Sequence, residues 1–332
     1  MTLGRAFRGV AAGALIGAIV ASGCSSDGST STTETETAVT AGTAATADTT
    51  VAAERVFVGF DGVTIEEPDT TRIVTLSGDL TEFVYELGLG NSIVATDVTT
   101  VAPEAATLLP KAGLGRFLTA EGVLKHDPTL VIGDAQTAPI ATIEQIRAAG
   151  VPVAILDVPI TFDGLYEKVA ALGTLLDASD AAADLTERMR ADIEAASPVA
   201  DEGAAVPRIA YVYTRGPDVM LLFGSGMTTV PVIDAAGGVD AGTGAGVDGT
   251  IEVTPEALAV AAPDVIIVPS EGYEVLGGLD GLLSIPGVAA TPAGVTGSVL
   301  AYPEGDFLTF GPRIADSIAL LASDLARLAS AL

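Results

Sequence analysis

Apolar positions recur at helical spacing over residues 161–197. Leu165, Val169, Leu172 and Leu176 form one series; Ala182, Leu185, Met189, Ile193 and Ala196 form a second, with charged residues opposite. Ser179 opens the second series, so the stretch is one long helix or two abutting ones. Upstream, short apolar runs alternate with helical segments. Strands are expected at 72–76, 93–95, 130–133 and 151–156, and helices at 80–87, 119–125 and 140–149. A hairpin is expected over 56–65, turning at Asp61-Gly62. The pattern restarts at 208–213 and closes with an amphipathic helix over 312–332. Short apolar strands between helices predict an α/β fold with parallel sheets.

The restart keeps register. Thr119 and Glu121 precede Pro128 by nine and seven residues, and Thr254 and Glu256 precede Pro263 by the same intervals. The glutamates lie 135 apart and the strand openings Arg72 and Arg208 lie 136 apart. Two similar α/β lobes are therefore expected on either side of the central helical stretch. The expected divisions are 54–160 for the first lobe, 161–200 for the connecting helix and 201–332 for the second lobe.

The first 53 residues do not fit either lobe. Arg5 and Arg8 precede the apolar run VAAGALIGAIVA, which is too short for a stable span and ends in Ala21-Ser22-Gly23-Cys24. This arrangement resembles a bacterial lipoprotein signal over 1–23, with Cys24 the lipidated first mature residue; a non-lipidated secretory signal is the alternative. Residues 24–53 are rich in Ser, Thr, Ala and acid, with no hydrophobic period, and read as a disordered tether. Cys24 is the only cysteine, so no intrachain disulfide exists.

Charge and residue type narrow the chemistry. The chain carries 15 basic and 43 acidic residues, a net of −28; loss of Arg5 and Arg8 with the signal would leave −30. That surface repels phosphates and argues against nucleic acid. A single histidine, His126, argues against a zinc or manganese cluster and against a Ser-His-Asp triad. There is no G-x-x-x-x-G-K-[ST], and Gly242-Thr243-Gly244-Ala245-Gly246 lacks strand-turn-helix context. An enzyme is not expected.

The stretches RIVTLSGDLTEFVYELGLGNSIVATD, TAEGVLKHDPTLVIGD, IEQIRAAGVPV and GGLDGLLSIPGV together resemble the substrate-binding proteins of ABC importers for iron chelates, haem and vitamin B12, nearest the hemin-binding branch. The resemblance spans about residues 56–332. It implies two lobes joined by one long rigid helix, a ligand cleft between them, and a monomer that delivers its cargo to a permease dimer with its own ATPase. It places permease-docking carboxylates at Glu121 and Glu256; helix-dipole stabilisation is the plainer role for both. It also marks departures: Leu114, a histidine-free loop at 133–137, and about Thr250 stand where haem-binding relatives carry an iron-ligating tyrosine or histidine. Tyr213, Tyr273 and Met227 then become candidate ligands, with Arg116 and Arg215 for ligand carboxylates. Asp97, Thr99, Gln136 and Thr137 follow first-lobe strands, where open sheets bind ligands. Packing or surface ion pairing is the alternative for each. A ferric siderophore or cobalamin, which brings its own metal ligation, would need no such ligand. A tethered sensor or scavenger without a permease is the alternative function.

Overall fold

The computed structural model describes residues 55–199, 203 and 205–331. The expected signal, Cys24 and the tether lie outside them. Strands β1 (Val56–Val58) and β2 (Thr64–Glu66) form the expected antiparallel hairpin. The first sheet comprises β3 (Ile73–Thr75), β4 (Ile93–Asp97), β5 (Lys111–Gly113), β6 (Leu130–Asp134) and β7 (Val153–Leu156). Its order is β5-β4-β3-β6-β7, all parallel. Gly59 and Phe60 of the hairpin cover the edge at β7, where the Phe60 N–H donates to the Ile155 carbonyl at 2.7 Å.

The second sheet comprises β8 (Arg208–Thr214), β9 (Met220–Phe223), a short β10 (Val239–Asp240), β11 (Thr250–Glu252), β12 (Val265–Pro269) and β13 (Val299–Tyr302). Its main order is β11-β9-β8-β12-β13, which reproduces the first sheet strand for strand. It is not parallel throughout, contrary to expectation. β9 pairs antiparallel with β8, and β11 antiparallel with β9. The reason is local. Gly216-Pro217-Asp218 make a tight turn, closed by the Arg215 N–H on the Val219 carbonyl at 3.2 Å, and so short a link permits only a hairpin.

Strands buried on both faces read as continuous apolar runs, yet their two-residue alternation still sorts side chains between cores. Ile73, Leu130, Ile132, Ile209, Tyr211 and Ile267 enter one core shared by both halves. Val74 and Val131 face a core on the outer side of the first sheet, and Ala210, Val212 and Ile266 face the corresponding core of the second.

The helical stretch after the first sheet is two helices rather than one rod. Here α1 denotes Gly78–Glu86, α2 Ala120–Leu124, α3 Phe162–Leu176 and α4 Ser179–Ala196. Asp177 adopts a left-handed conformation (φ 56°) and ends α3. The turn brings a Cβ built at Gly173 to 2.5 Å from that of Ala182, although nine residues of continuous helix would span about 13 Å. Only a residue without a Cβ fits there. Helix α4, about 27 Å long, is the connector. Its Ala182, Leu185, Met189 and Ile193 lie buried in the shared core. Its Arg190 guanidinium stacks 3.9 Å from the Tyr166 ring of α3.

The repeat extends to backbone detail. Let α5 denote Pro255–Ala261 and α6 Ile314–Ala331. The Thr119 and Thr254 hydroxyls cap α2 and α5, accepting from the Gly122 and Ala257 N–H groups. Both helices exit through a left-handed residue, Asp127 (φ 47°) and Ala262 (φ 39°), just before the paired prolines. At the far ends, Arg72 donates to the carbonyls of His126 and Asp127 at 2.5 and 2.6 Å, and Arg208 to that of Ala261 at 2.6 Å. A cation at the carbonyl end steadies helices too short to hold themselves.

A second tie joins the halves. Phe310 stacks on Phe162 with centroids 5.5 Å apart. Gly311 abuts Asp79, where a built Cβ would stand 3.3 Å from the aspartate Cβ. Arg313 grips the buried Glu82 of α1 at 2.8 and 3.0 Å. The segment 310–313 therefore straps the second half to α1 and α3.

Candidate functional site

The loops leaving the carboxyl ends of the strands carry most of the exposed chemistry. In the first sheet, the exits of β5 and β6 lie side by side: the Leu118 N–H donates to the Ala138 carbonyl, and the Ala138 N–H to that of Gly115. Arg116 and Gln136 project from these two loops and meet at 3.0 Å. Arg116 has no carboxylate partner among the described residues. Thr99 is exposed beside Val98, and Phe117 stands 77% exposed beside Arg116.

Two of the expected first-lobe residues face inward. Asp97 is buried, and its carboxylate oxygens accept the N–H groups of Thr99 and Gly115 at 2.6 and 2.7 Å. Thr137 is buried in the turn after β6, its hydroxyl accepting the Asp134 N–H at 3.0 Å. Both shape the loops and neither presents a free polar atom to a ligand. Sequence position after a strand does not distinguish a turn-former from a ligand contact.

Below these loops lies a charge cluster that the sequence did not flag. Lys168 of α3, its side chain 2% exposed, pairs with Asp79 at 2.5 Å, and the Ser77 hydroxyl donates to the same carboxylate at 2.6 Å. Burial would raise the Asp79 pKa. The charge and hydrogen bond of Lys168, with donations from Ser77 and the Leu80 N–H, outweigh it and hold the carboxyl below the usual aspartate range. Asp134 nearby is pushed the other way, first by burial and then by the Asp79 charge.

In the second sheet, β8 ends in Tyr213-Thr214, and Arg215 follows it. The Arg215 Nε donates a short hydrogen bond to the Tyr213 hydroxyl. One terminal nitrogen of the same guanidinium donates to both carboxylate oxygens of Glu304, at 2.8 and 2.9 Å. The Tyr213 hydrogen bond, followed by the Glu304 charge, raises the Arg215 pKa further. The Tyr213 ring stacks on Phe223, centroids 5.9 Å apart, which fixes its plane. Tyr213 and Arg215 thus come together as a unit. Tyr273 is half-buried against the outer core of the second sheet. Met227 was expected at the same end as Tyr213, but β9 runs antiparallel. Met227 nonetheless packs against the shared core, and the adjacent Thr228 hydroxyl donates to the Phe307 carbonyl at 3.4 Å, in the helix that follows β13. Glu304 was missed because β13, which delivers it through Tyr302-Pro303, is too short an apolar run to stand out.

Glu121 and Glu256 are both exposed in the first turns of α2 and α5. β5 and β11 are the outermost strands of their sheets, and each runs in the direction of its central strand. Both helices therefore begin at the carboxyl end, the same end that carries Arg116 in one half and Tyr213 in the other. Of the nearby cavities, one of about 180 Å³ lies at the strap, lined by Glu82, Asp306, Arg313 and Asp316. It is acidic and well below the roughly 300 Å³ at which ligand pockets begin.

A family model described as periplasmic binding protein matches residues 73–305. The chain belongs to the periplasmic binding protein family. Among solved members, the periplasmic heme-binding protein RhuT from Roseiflexus sp. RS-1 is 37% identical with a TM-score of 0.74, covering 78% of this chain and 99% of its own. BhuT, solved with two hemes, is 34% identical with a TM-score of 0.71, covering 77% and 98%. The heme-binding protein HmuT is 31% identical with a TM-score of 0.75, covering 82% and 90%. HmuT has also been solved with a histidine, a tyrosine, or the arginine two positions after that tyrosine changed to alanine. A curated cobalamin-binding protein from Halobacterium salinarum is 28% identical over 266 residues, covering 77% of this chain and 69% of its own length. In this periplasmic binding protein, Tyr213 and Arg215 share that two-residue spacing but lie on and just after β8, whereas the second-lobe tyrosine site of the haem-binding relatives falls at about Thr250, in β11.

Proposed function

We propose that this protein captures haem outside the cytoplasm and delivers it to an ABC permease. The observation that carries the reading is the Tyr213–Arg215 unit at the carboxyl end of β8, its ring fixed by Phe223. A phenolate is a hard anionic ligand suited to ferric iron. The adjacent guanidinium balances its charge once the hydroxyl proton has gone to solvent and the Fe–O bond has formed. Val98 and Phe117 supply apolar surface for a macrocycle face, and Arg116, with Gln136 and Thr99 beside it, supplies a cation for a propionate. Glu121 and Glu256 dock the two halves on a two-fold permease, which an internally repeated monomer can engage without dimerising. Cys24 anchors the protein to the membrane through lipid. Cys24→Ala is then expected to move it from the membrane to the soluble fraction; retention in the membrane would refute the anchor.

Cobalamin is the second reading. It is favoured by the Halobacterium relative and by Leu114 and the histidine-free 133–137 loop, since a corrinoid brings its own metal ligation. Titration with hemin and with cyanocobalamin, followed by absorbance and by tyrosine fluorescence in this tryptophan-free chain, separates the two. Hemin is expected to bind with a phenolate-to-iron charge-transfer band. Tyr213→Phe removes the band and weakens hemin by about tenfold or more. A hemin spectrum that stays that of free hemin, with tight cyanocobalamin binding, would overturn the haem reading.

A further inference from the structure

We infer that Glu304 is a positioning residue for the iron-ligating end of the site, acting through Arg215 on Tyr213. The inference rests on the reading of Tyr213 as the iron ligand. Arg215 is a long side chain, 63% exposed, and on its own would sample many rotamers. Glu304 engages a single terminal nitrogen with both oxygens, which leaves the Nε edge of the planar guanidinium turned to the Tyr213 hydroxyl. The three residues come from two strand exits, those of β8 and β13, with β12 between them in the sheet. Glu304 is itself held in place. It opens the helix Glu304–Leu308, and Phe307 of that helix is buried against Tyr302 and Tyr211, with ring centroids 4.9 and 6.1 Å away.

The clamp also assigns orientation. With its charge balanced by Glu304, Arg215 serves the phenolate and not a ligand carboxylate. Arg116, whose only side-chain partner among the described residues is the Gln136 amide, remains as the cation for a propionate. The carboxylate edge of the macrocycle is therefore directed to the first half, away from the Glu304 charge.

The effect of Glu304 has a sign that tells positioning from charge. Loss of a negative charge alone would favour the phenolate, and the charge-transfer band would persist to lower pH. Loss of the clamp frees Arg215, the phenolate loses its donor, and the band disappears at higher pH than in wild type. Hemin titrations and acid titrations of the hemin complex are compared for wild type, E304A, E304Q, R215A, E304A/R215A and Y213F. E304A is expected to weaken hemin about tenfold and to shift the acid midpoint of the band upward. E304Q, which retains one acceptor oxygen, should recover part of both effects, and E304A should add nothing in the R215A background. A downward shift in E304A, wild-type behaviour of E304A, or additivity with R215A would overturn the inference. These outcomes are separable from failure of the underlying reading, in which the band would survive in Y213F.

Discussion

The Glu121→Arg/Glu256→Arg double variant is expected to abolish permease-dependent uptake of the ligand while titrating with hemin as wild type does. Each carboxylate stands exposed in the first turn of a short helix at the outer edge of its sheet. Each helix is pinned at its far end by an arginine from the opening of the central strand. The carboxylates are thus presented in fixed, equivalent positions, at the end of each sheet that also carries the candidate ligand contacts. Removing one partner of a desolvated interfacial charge pair costs about 2–5 kcal/mol, and like charges brought together add to it. Single reversals should therefore reduce uptake about tenfold or more, and the pair should eliminate it. Neither glutamate makes a side-chain hydrogen bond or ion pair within the described residues, so fold and ligand site should be untouched. Equal loss of hemin affinity would sink the docking assignment, as would uptake unchanged by the double reversal.

The repeat was legible because it is written in residues with strong local consequences. The paired threonines cap, the paired prolines end helices, and the paired arginines open strands, at intervals that hardly differ between the halves. Parallel strands buried on both faces produce apolar runs that pattern reading finds easily, hence β3, β6, β8 and β12. The mixed second sheet was not legible in the same way. β9 and β13 are four residues each, and whether a short strand returns or crosses over depends on the length of its link, not on its hydrophobicity. Glu304 was not expected for the same reason, because the short β13 delivers it.

The connector shows the same limit in a helix. Both apolar series in 161–197 are real, and the break between them falls at Asp177, two residues before the second phase at Ser179. Periodicity alone could not tell a bend from a continuous rod, because both bury the same face. The decisive feature is Gly173, whose missing Cβ admits Ala182. Of the candidate residues, Tyr213 and Arg215 were singled out by residue type and place, and the structure brings the two side chains into contact. Asp97 and Thr137 were found by the same rule, yet their polar atoms are consumed by neighbouring backbone. Backbone accounting of that kind needs coordinates.

Lys168→Met is expected to be the most destabilising single change among the described charged residues, by about 3 kcal/mol or more at neutral pH. Lys168 is almost fully buried, and Asp79 beside it keeps only 15% of its side-chain exposure. Methionine fills the space of the aliphatic stem but leaves the carboxylate uncompensated in a poorly solvated place. For a domain of this size such a loss lowers the melting temperature by roughly 5–10 °C. The pH dependence follows from the direction of the Asp79 shift. In wild type its pKa is depressed, so its contribution is present above the ordinary aspartate value and is lost only as pH falls through the lower folded value. In the variant the Lys168 charge and hydrogen bond are lost and burial is opposed only by the Ser77 and Leu80 donations, so the pKa lies above its wild-type value and the penalty of the unpaired carboxylate fades as Asp79 protonates on acidification. The gap between the two proteins should therefore be wide at pH 7 and should narrow on acidification toward the carboxylate range. Urea unfolding at both pH values measures it. A gap under about 0.5 kcal/mol at pH 7, or one that does not narrow, would contradict the role given to the pair. The double change Lys168→Met/Asp79→Leu should recover most of the loss, because an apolar pair of similar volume carries no desolvation cost. Asp79 also meets Gly311 of the strap. The same pair therefore anchors the point where the two halves touch beside α1, and its loss should loosen that junction before either sheet unfolds.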